Sequence, residues 1–162
     1  MRGAPNPSPR LSYVRGYAVE PDPERAWSRI ASGSVDLTRE VLLDRRPVPD
    51  SGPGDAHPML LARLAEESSE RLVAEVTASY GGLLVLTDVF YPGWIAEEDG
   101  RRLPILRADG FFRAVALPAG THRVTFRYRP ASVAVGGALS ALAVLVLAGL
   151  WYSGEPVGRR RA

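Results

Sequence analysis

The chain has no cysteine and no lysine. Without cysteine there can be no disulfide, no thiolate nucleophile and no cysteine-based zinc site. That absence leaves both sides of a bacterial membrane open as compartments. Without lysine, all twenty basic residues are arginine. Together with the abundance of Ala, Gly, Pro and Val, this reads as a GC-rich genome rather than a binding surface. Histidine is scarce as well, with His57 in a Pro/Gly stretch and His122 in a strand-like segment. Neither has a partner at ligand spacing, and a metal site needs three or four ligands. No GxSxG elbow, P-loop or GxGxxG fingerprint occurs, and Ser51, Ser68 and Ser69 lack any flanking context that would activate them. No catalytic residue, metal or cofactor is therefore expected. The opening MRGAPNPSPR contains no apolar run that could serve as a signal peptide.

What is present is a globular composition, 46% hydrophobic and 23% charged over 162 residues. That is room for one ordinary domain and an appendage. The formal charge of +2 comes from the last ten residues, where Arg159, Arg160 and Arg161 outweigh Glu155; the rest is formally neutral. No basic patch interleaved with aromatics is visible, so a nucleic-acid partner is not expected.

The appendage is VAVGGALSALAVLVLAGLWY, Val133 to Tyr152, which carries no charge. At about 1.5 Å per residue, a helix of this length covers the roughly 30 Å hydrocarbon layer of a bilayer. Its small residues suit transmembrane packing faces, and Trp151 with Tyr152 suits an aromatic belt. The span is expected over 132–153, followed by a basic tail, 154–162. The three tail arginines favour a cytoplasmic C-terminus under the positive-inside rule and an extracytoplasmic N-terminal domain. A domain with no signal peptide would reach that side only if earlier spans delivered it. The chain is therefore expected to be the end of a longer polytopic protein, or else the orientation is reversed.

Ahead of the span, residues 1–10 are Pro-rich and read as a disordered leader, and 11–131 as the folded domain. Leu11 to Glu20 has a strand-like mixture with Tyr13, Tyr17 and Val19 on one parity. Asp22 and Pro23 look like an N-cap and first helical residue. Ala26, Trp27, Ile30 and Ala31 follow at helical spacing, with Trp27 and Ile30 as core, and Gly33 ends the run. Val41 to Leu43 is a short strand. Residues 45–58, RRPVPDSGPGDAHP, read as the most mobile loop. Residues 59–76 fit an amphipathic helix in their first half and a strand in their second. From Gly81 onward the pattern is β: 83–89 as a central strand, 94–98, a hairpin turn at Asp99-Gly100, then 101–106 and 111–117. After a turn at Pro118-Ala119-Gly120, THRVTFRYR alternates strictly. These short strands predict a mainly β fold, an antiparallel, jelly-roll-like β-sandwich with one short N-terminal helix and a single C-terminal transmembrane helix.

Two features of DVFYPGWIAEEDG, 88–100, invite a functional reading. Glu97, Glu98 and Asp99 could pair for acid–base work, but their place beside Gly100 favours solvated turn residues. Tyr91 and Trp94 could stack on a sugar ring, or Trp94 could plug the sandwich while Tyr91-Pro92-Gly93 shapes a corner.

Asp88, the block Tyr91-Pro92-Gly93-Trp94, Asp99-Gly100 and Pro104-Ile105 occur here in a distinctive order. Phe112-Arg113, Pro118 through Gly120 to His122, Phe126-Arg127-Tyr128 and Pro130 continue it. With PRLSYV (9–14) and ASGSVDLTREVLL (31–43), these segments resemble the C-terminal end of YfhO-type bacterial membrane proteins. That family is multi-span and similar in outline to lipid-linked-sugar glycosyltransferases of the cell envelope. The resemblance implies an extracytoplasmic β-sandwich followed by the last span, in a bacterial cell membrane. Its implied partners are the lipid bilayer, other transmembrane helices of the multi-span protein and envelope polysaccharide. The chain lacks the multi-span part that carries the catalytic acids, so it is expected to be non-catalytic alone. An independent membrane-anchored carbohydrate-binding or protein-interaction domain is the alternative.

Overall fold

The computed structural model describes residues 9–50 and 59–153. The 1–8 part of the leader, the 51–58 part of the Pro/Gly loop with Ser51 and His57, and the 154–162 tail lie outside the described residues. The chain divides into two compact units, Met1–Tyr128 and Arg129–Ala162.

Among the described residues, the first unit holds twelve strands and one helix. They are β1 (Leu11–Val14), β2 (Gly16–Val19), α1 (Pro23–Ala31), β3 (Glu40–Leu43), β4 (Leu60–Leu61), β5 (Arg63–Glu67) and β6 (Arg71–Ala78). β7 (Gly82–Val89), β8 (Trp94–Glu98), β9 (Arg101–Leu103), β10 (Leu106–Ala108), β11 (Phe112–Leu117) and β12 (Gly120–Tyr128) complete it. Seven strands form one sheet in the order β2-β3-β10-β11-β7-β1-β4, and five form another, β5-β6-β12-β8-β9. All pairings are antiparallel except β2 with β3. A parallel pair needs a crossover, and α1 supplies it.

The sandwich core follows from strand parity. Tyr13, Leu84, Leu86, Val115 and Leu117 of the larger sheet meet Leu72, Ala74, Val76, Ala96, Val124 and Phe126 of the smaller. The alternation of THRVTFRYR is realised directly, with His122, Val124 and Phe126 buried and Thr121 and Arg123 exposed. β7 reads as a continuous apolar run because the larger sheet is buried on both faces. Leu83 and Val85 join Val14, Val41, Leu43, Ala114 and Ala116 on the face away from the smaller sheet.

The helix begins as its sequence dictates. Asp22 accepts from the Glu24 and Arg25 backbone amides at 2.9 and 3.4 Å, and Pro23 opens the first turn. Its buried stripe is Ala26 and Ile30 against Ala18, Val35, Leu37 and Leu42. Trp27 is a correction to the sequence reading: it is 55% exposed, not core. It lies about 100° round the helix from Ala26 and packs edge-on against Phe111, centroids 5.6 Å apart.

Three other segments differ from expectation for local reasons. The first half of 59–76 forms no helix but the strands β4 and β5, while the second half is the expected strand, β6. The chain crosses from the larger sheet (β4) to the smaller (β5) at Ala62, and Ser68 then closes a turn by accepting from the Arg71 amide at 3.1 Å. The expected strand 101–106 is two strands in different sheets. Pro104, which has no backbone N–H to donate, separates β9 from β10. Arg10 is not loose leader: its carbonyl accepts from the Thr87 amide at 3.0 Å, and its side chain is ion-paired. Of the Pro/Gly loop, Asp50 accepts from the Tyr17 hydroxyl at 2.7 Å and Arg45 donates to the Ile105 carbonyl at 2.8 Å.

Tyr13 ties the layers together. It is fully buried, and its hydroxyl donates towards the Tyr80 and Leu117 carbonyls at 3.0 and 3.2 Å; burial pushes the phenol up to about 12. Gly82 makes room for it. A methyl there would lie 2.7 Å from the Val14 carbonyl oxygen and 2.9 Å from the Tyr13 ring. Gly82→Ala is expected to cost about 1–3 kcal/mol through overpacking. Urea denaturation reads this as a lowered midpoint, and an unchanged midpoint would show that the strands can part.

Among the described residues, the second unit carries one helix, α2 (Ala131–Ser153), of 23 residues. Its stretch Val135–Tyr152 has a mean hydropathy of 1.9, and none of that stretch is buried. This helix is long and apolar enough to cross a membrane.

Candidate functional site

The residues singled out in the sequence fall at two ends of β8, roughly 13 Å apart at strand rise. Asp88, Tyr91 and Trp94 lie at one end. Glu98, Asp99, Gly100, Gly120 and His122 lie at the other.

At the first end β7 delivers Asp88 on the same parity as Leu84 and Leu86, facing the sandwich. β11 delivers Arg113 beside it, because a bulge between Phe112 and Arg113 shifts the register of the β7–β11 pairing. Arg113 is only 2% exposed. Its Nη2 donates to Asp88 Oδ2 at 3.1 Å, while its Nε and Nη1 are buried without hydrogen-bond partners. The aromatic surroundings account for that arrangement. The guanidinium lies 4.0 Å from the Trp94 ring centroid and 6.0 Å from that of Phe126, so π faces stand where acceptors would be. Burial pushes the Arg113 guanidinium down, and Asp88 acts in the opposite direction. Asp88 also takes Arg10 Nε at 3.1 Å, and Arg10 reaches Glu67 at 2.7 Å. These two acids hold Arg10 above its usual range.

This cluster determines what Trp94 can do. One face of its indole is occupied by Arg113, and Tyr128 leans against it at 5.4 Å and 46°. Tyr91 differs: it is 60% exposed, 6.3 Å from Tyr128, and borders an open groove of about 430 Å³. Trp94 borders the same groove, together with Pro92, Ile95, Arg102 and Pro104. Gly93 turns the corner with φ 105°. Of the two aromatics, only Tyr91 offers substantial open surface.

At the other end Asp99 (φ 47°) and Gly100 (φ 78°) form the left-handed pair that a two-residue hairpin demands. Glu97 and Glu98 face Arg102 and Arg101 across the β8–β9 pairing. Glu98 is more than a solvated turn residue. Its Oε1 lies 2.8 Å from His122 Nδ1, while His122 Nε2 lies 3.0 Å from the Pro118 carbonyl oxygen. Both ring nitrogens lie within hydrogen-bond distance of an acceptor, which holds the ring between β8 and the turn before β12. A cleft of about 750 Å³ opens beside this pair, lined also by Arg63, Glu75, Thr77, Thr121 and Arg123. Its acid Glu75 is engaged by Arg63 and Arg123. Among the described residues no group of three or more His, Asp or Glu could hold a metal ion.

Sequence reading identified Asp88 and Trp94 but assigned Arg113, Arg10 and Glu67 no role. The available signal was opposite charge on the inward parity of two apolar strands, LLVLTDV and FRAVAL. It could not be used because nothing in the sequence says that β7 and β11 are neighbours. Asp109 was missed in the same way. It is 9% exposed with φ 50°, and its Oδ1 accepts from the Leu42 amide at 2.9 Å while its own amide donates to the Leu42 carbonyl at 2.7 Å. Burial pushes its carboxyl up to about 6 against the Leu42 hydrogen bond. The Asp109-Gly110 pair carried the same turn signal as Asp99-Gly100.

Fold and site together define a two-sheet, antiparallel-rich β domain joined to a helix apolar enough to span a membrane. No family model, curated protein or solved structure matches the chain.

Proposed function

We propose that this chain is a membrane-anchored, non-catalytic β-sandwich module, extracytoplasmic and C-terminal within a YfhO-type multi-span protein of bacterial cell-envelope glycosylation. The observation that carries the anchor is α2, apolar and unburied over Val135–Tyr152 and beginning three residues after the last sandwich strand. The family part rests on the resemblance. It is supported by the work its residues do: Asp88 bridging two arginines, Gly93 at the corner, Asp99-Gly100 in the hairpin, and His122 with Glu98. A non-catalytic role is supported by His122 being held against Glu98 and the Pro118 carbonyl and by the neighbouring acid Glu75 being ion-paired.

The full chain is expected to remain in the membrane pellet after alkaline carbonate extraction, and a chain ending at Pro130 to stay soluble. Release of the full chain would overturn the anchor. Protease accessibility of the 45–58 loop in intact cells tests the side; cleavage only after lysis would place the domain in the cytoplasm. A reading frame continuing upstream through several spans supports the multi-span parent, and a stop codon immediately upstream of Met1 overturns it.

A second reading, an independent carbohydrate-binding module, is favoured by Tyr91, an exposed ring at the edge of a groove that Trp94 also borders. On that reading, calorimetric titration with envelope oligosaccharides gives binding that Tyr91→Ala abolishes, whereas the Trp94 ring is already engaged by Arg113. No heat of binding with any envelope polymer would remove it.

A further inference from the structure

The sandwich end that carries Asp88 and Trp94 also gathers apolar surface that the fold does not use. Val89 is 66% exposed, Tyr91 60%, Trp27 55% and Phe111 46%. They come from β7, the corner after it, α1 and the β10–β11 turn, segments that the backbone pairing brings to one end of the sandwich. Phe90 donates its amide to the Phe111 carbonyl, Trp27 packs on Phe111, and Val89 pairs with Phe112. Contiguous apolar patches on a soluble surface mark a contact surface. The acids beside them are not free, since Asp88 and Glu67 are both ion-paired.

Chain connectivity identifies the occupant. Tyr128 packs against Tyr91 and Trp94 at this same end, and α2 begins at Ala131. The three intervening steps span at most roughly 11 Å even when fully extended. The 23 residues of α2 make a helix of about 34 Å, slightly longer than the roughly 30 Å hydrocarbon layer. The tether therefore emerges at headgroup level, where Trp and Tyr rings partition favourably because one part of each is apolar and the other polar. We propose that this aromatic end, Trp27, Val89, Tyr91 and Phe111, rests on the bilayer surface and fixes the domain's orientation on the membrane. The inference depends on α2 being a membrane span.

Because the chain has no native cysteine, single cysteines can be placed anywhere and labelled with an environment-sensitive nitrobenzoxadiazole. Four full-length variants suffice: Val89→Cys, Phe111→Cys, Ala119→Cys at the opposite end, and Leu145→Cys within α2. They are reconstituted into phosphatidylcholine/phosphatidylglycerol vesicles carrying nitroxides either at the headgroup or deep in the acyl chain. Labels at 89 and 111 are expected to emit to the blue of the label at 119. Headgroup nitroxide should quench them at least twofold more than the label at 119, and the deep nitroxide should quench the label at 145. If 145 is quenched while 89 and 111 match 119, the anchor stands and the surface contact is wrong. If 145 is not quenched by the deep nitroxide, the anchor itself fails and the surface contact with it.

Discussion

Arg113→Ala is expected to lower the unfolding free energy of the β domain by about 2–4 kcal/mol, because it removes a fully buried side chain and with it a part-buried ion pair. The substitution leaves Asp88, facing the sandwich, with Arg10 as its only cationic partner. It also removes the guanidinium from beneath the Trp94 ring and leaves a void between Trp94 and Phe126. Each effect acts in the same direction. The pair itself is a different matter from its breakage, since a buried pair replaced as a whole by apolar groups can be nearly neutral. Arg113→Met combined with Asp88→Asn should therefore recover much of the loss, and a double-mutant cycle should show strong coupling between the two positions. Urea denaturation of a chain ending at Pro130 measures all of these. A loss below about 1 kcal/mol for Arg113→Ala would mean that the cluster does not hold the corner.

The same cluster shows how far sequence reaches in this protein. Elements whose signal is local were legible. The Asp22-Pro23 helix start, the Asp99-Gly100 hairpin, the strict alternation of β12 and the uncharged run of α2 each depend on neighbouring residues alone. Their physics is capping, left-handed turn conformation, pleat and transfer free energy. What failed depended on partners distant in the chain. Trp27 fits the helical period as well as Ala26 does, yet only the position of β3 and its Leu42 decides which side of α1 is covered. Residues 59–76 carry enough Leu, Ala and Glu to suit a helix, but pairing with β1 and β12 outweighs propensity. The candidate site was half legible for the same reason. The corner block stood out by composition, whereas Arg113 needed the β7–β11 pairing to bring it under Trp94. Asp109 needed Leu42, 67 residues earlier, to become a clamp.

That clamp leads to a pH effect opposite in sign to the usual carboxylate. Asp109 has its pKa raised to about 6 by burial, against an ordinary value of 3.8 in the unfolded chain. Between those values the folded state holds a proton that the unfolded state has released, so its contribution to stability is full below about pH 4. It is lost as pH rises through about 6 and stays lost above that. With roughly 1.4 kcal/mol per pKa unit, the gap of about two units corresponds to a loss on the order of 3 kcal/mol by neutral pH. Asp109→Asn removes the titration while keeping what the fold needs there. An amide oxygen can still accept from the Leu42 N–H, and Asn tolerates the left-handed φ of 50°. The stability of the variant relative to the wild type is expected to rise by about 3 kcal/mol between pH 4 and pH 8, any cost of burying the amide NH₂ group lowering both ends of that range alike. The quantity to follow is the difference between the two proteins across pH 4–8, since carboxylates elsewhere titrate equally in both and cancel. A difference that stays constant over that range, or one that closes as pH rises, would show that Asp109 is ionised throughout and that Leu42 binds a carboxylate rather than a carboxylic acid.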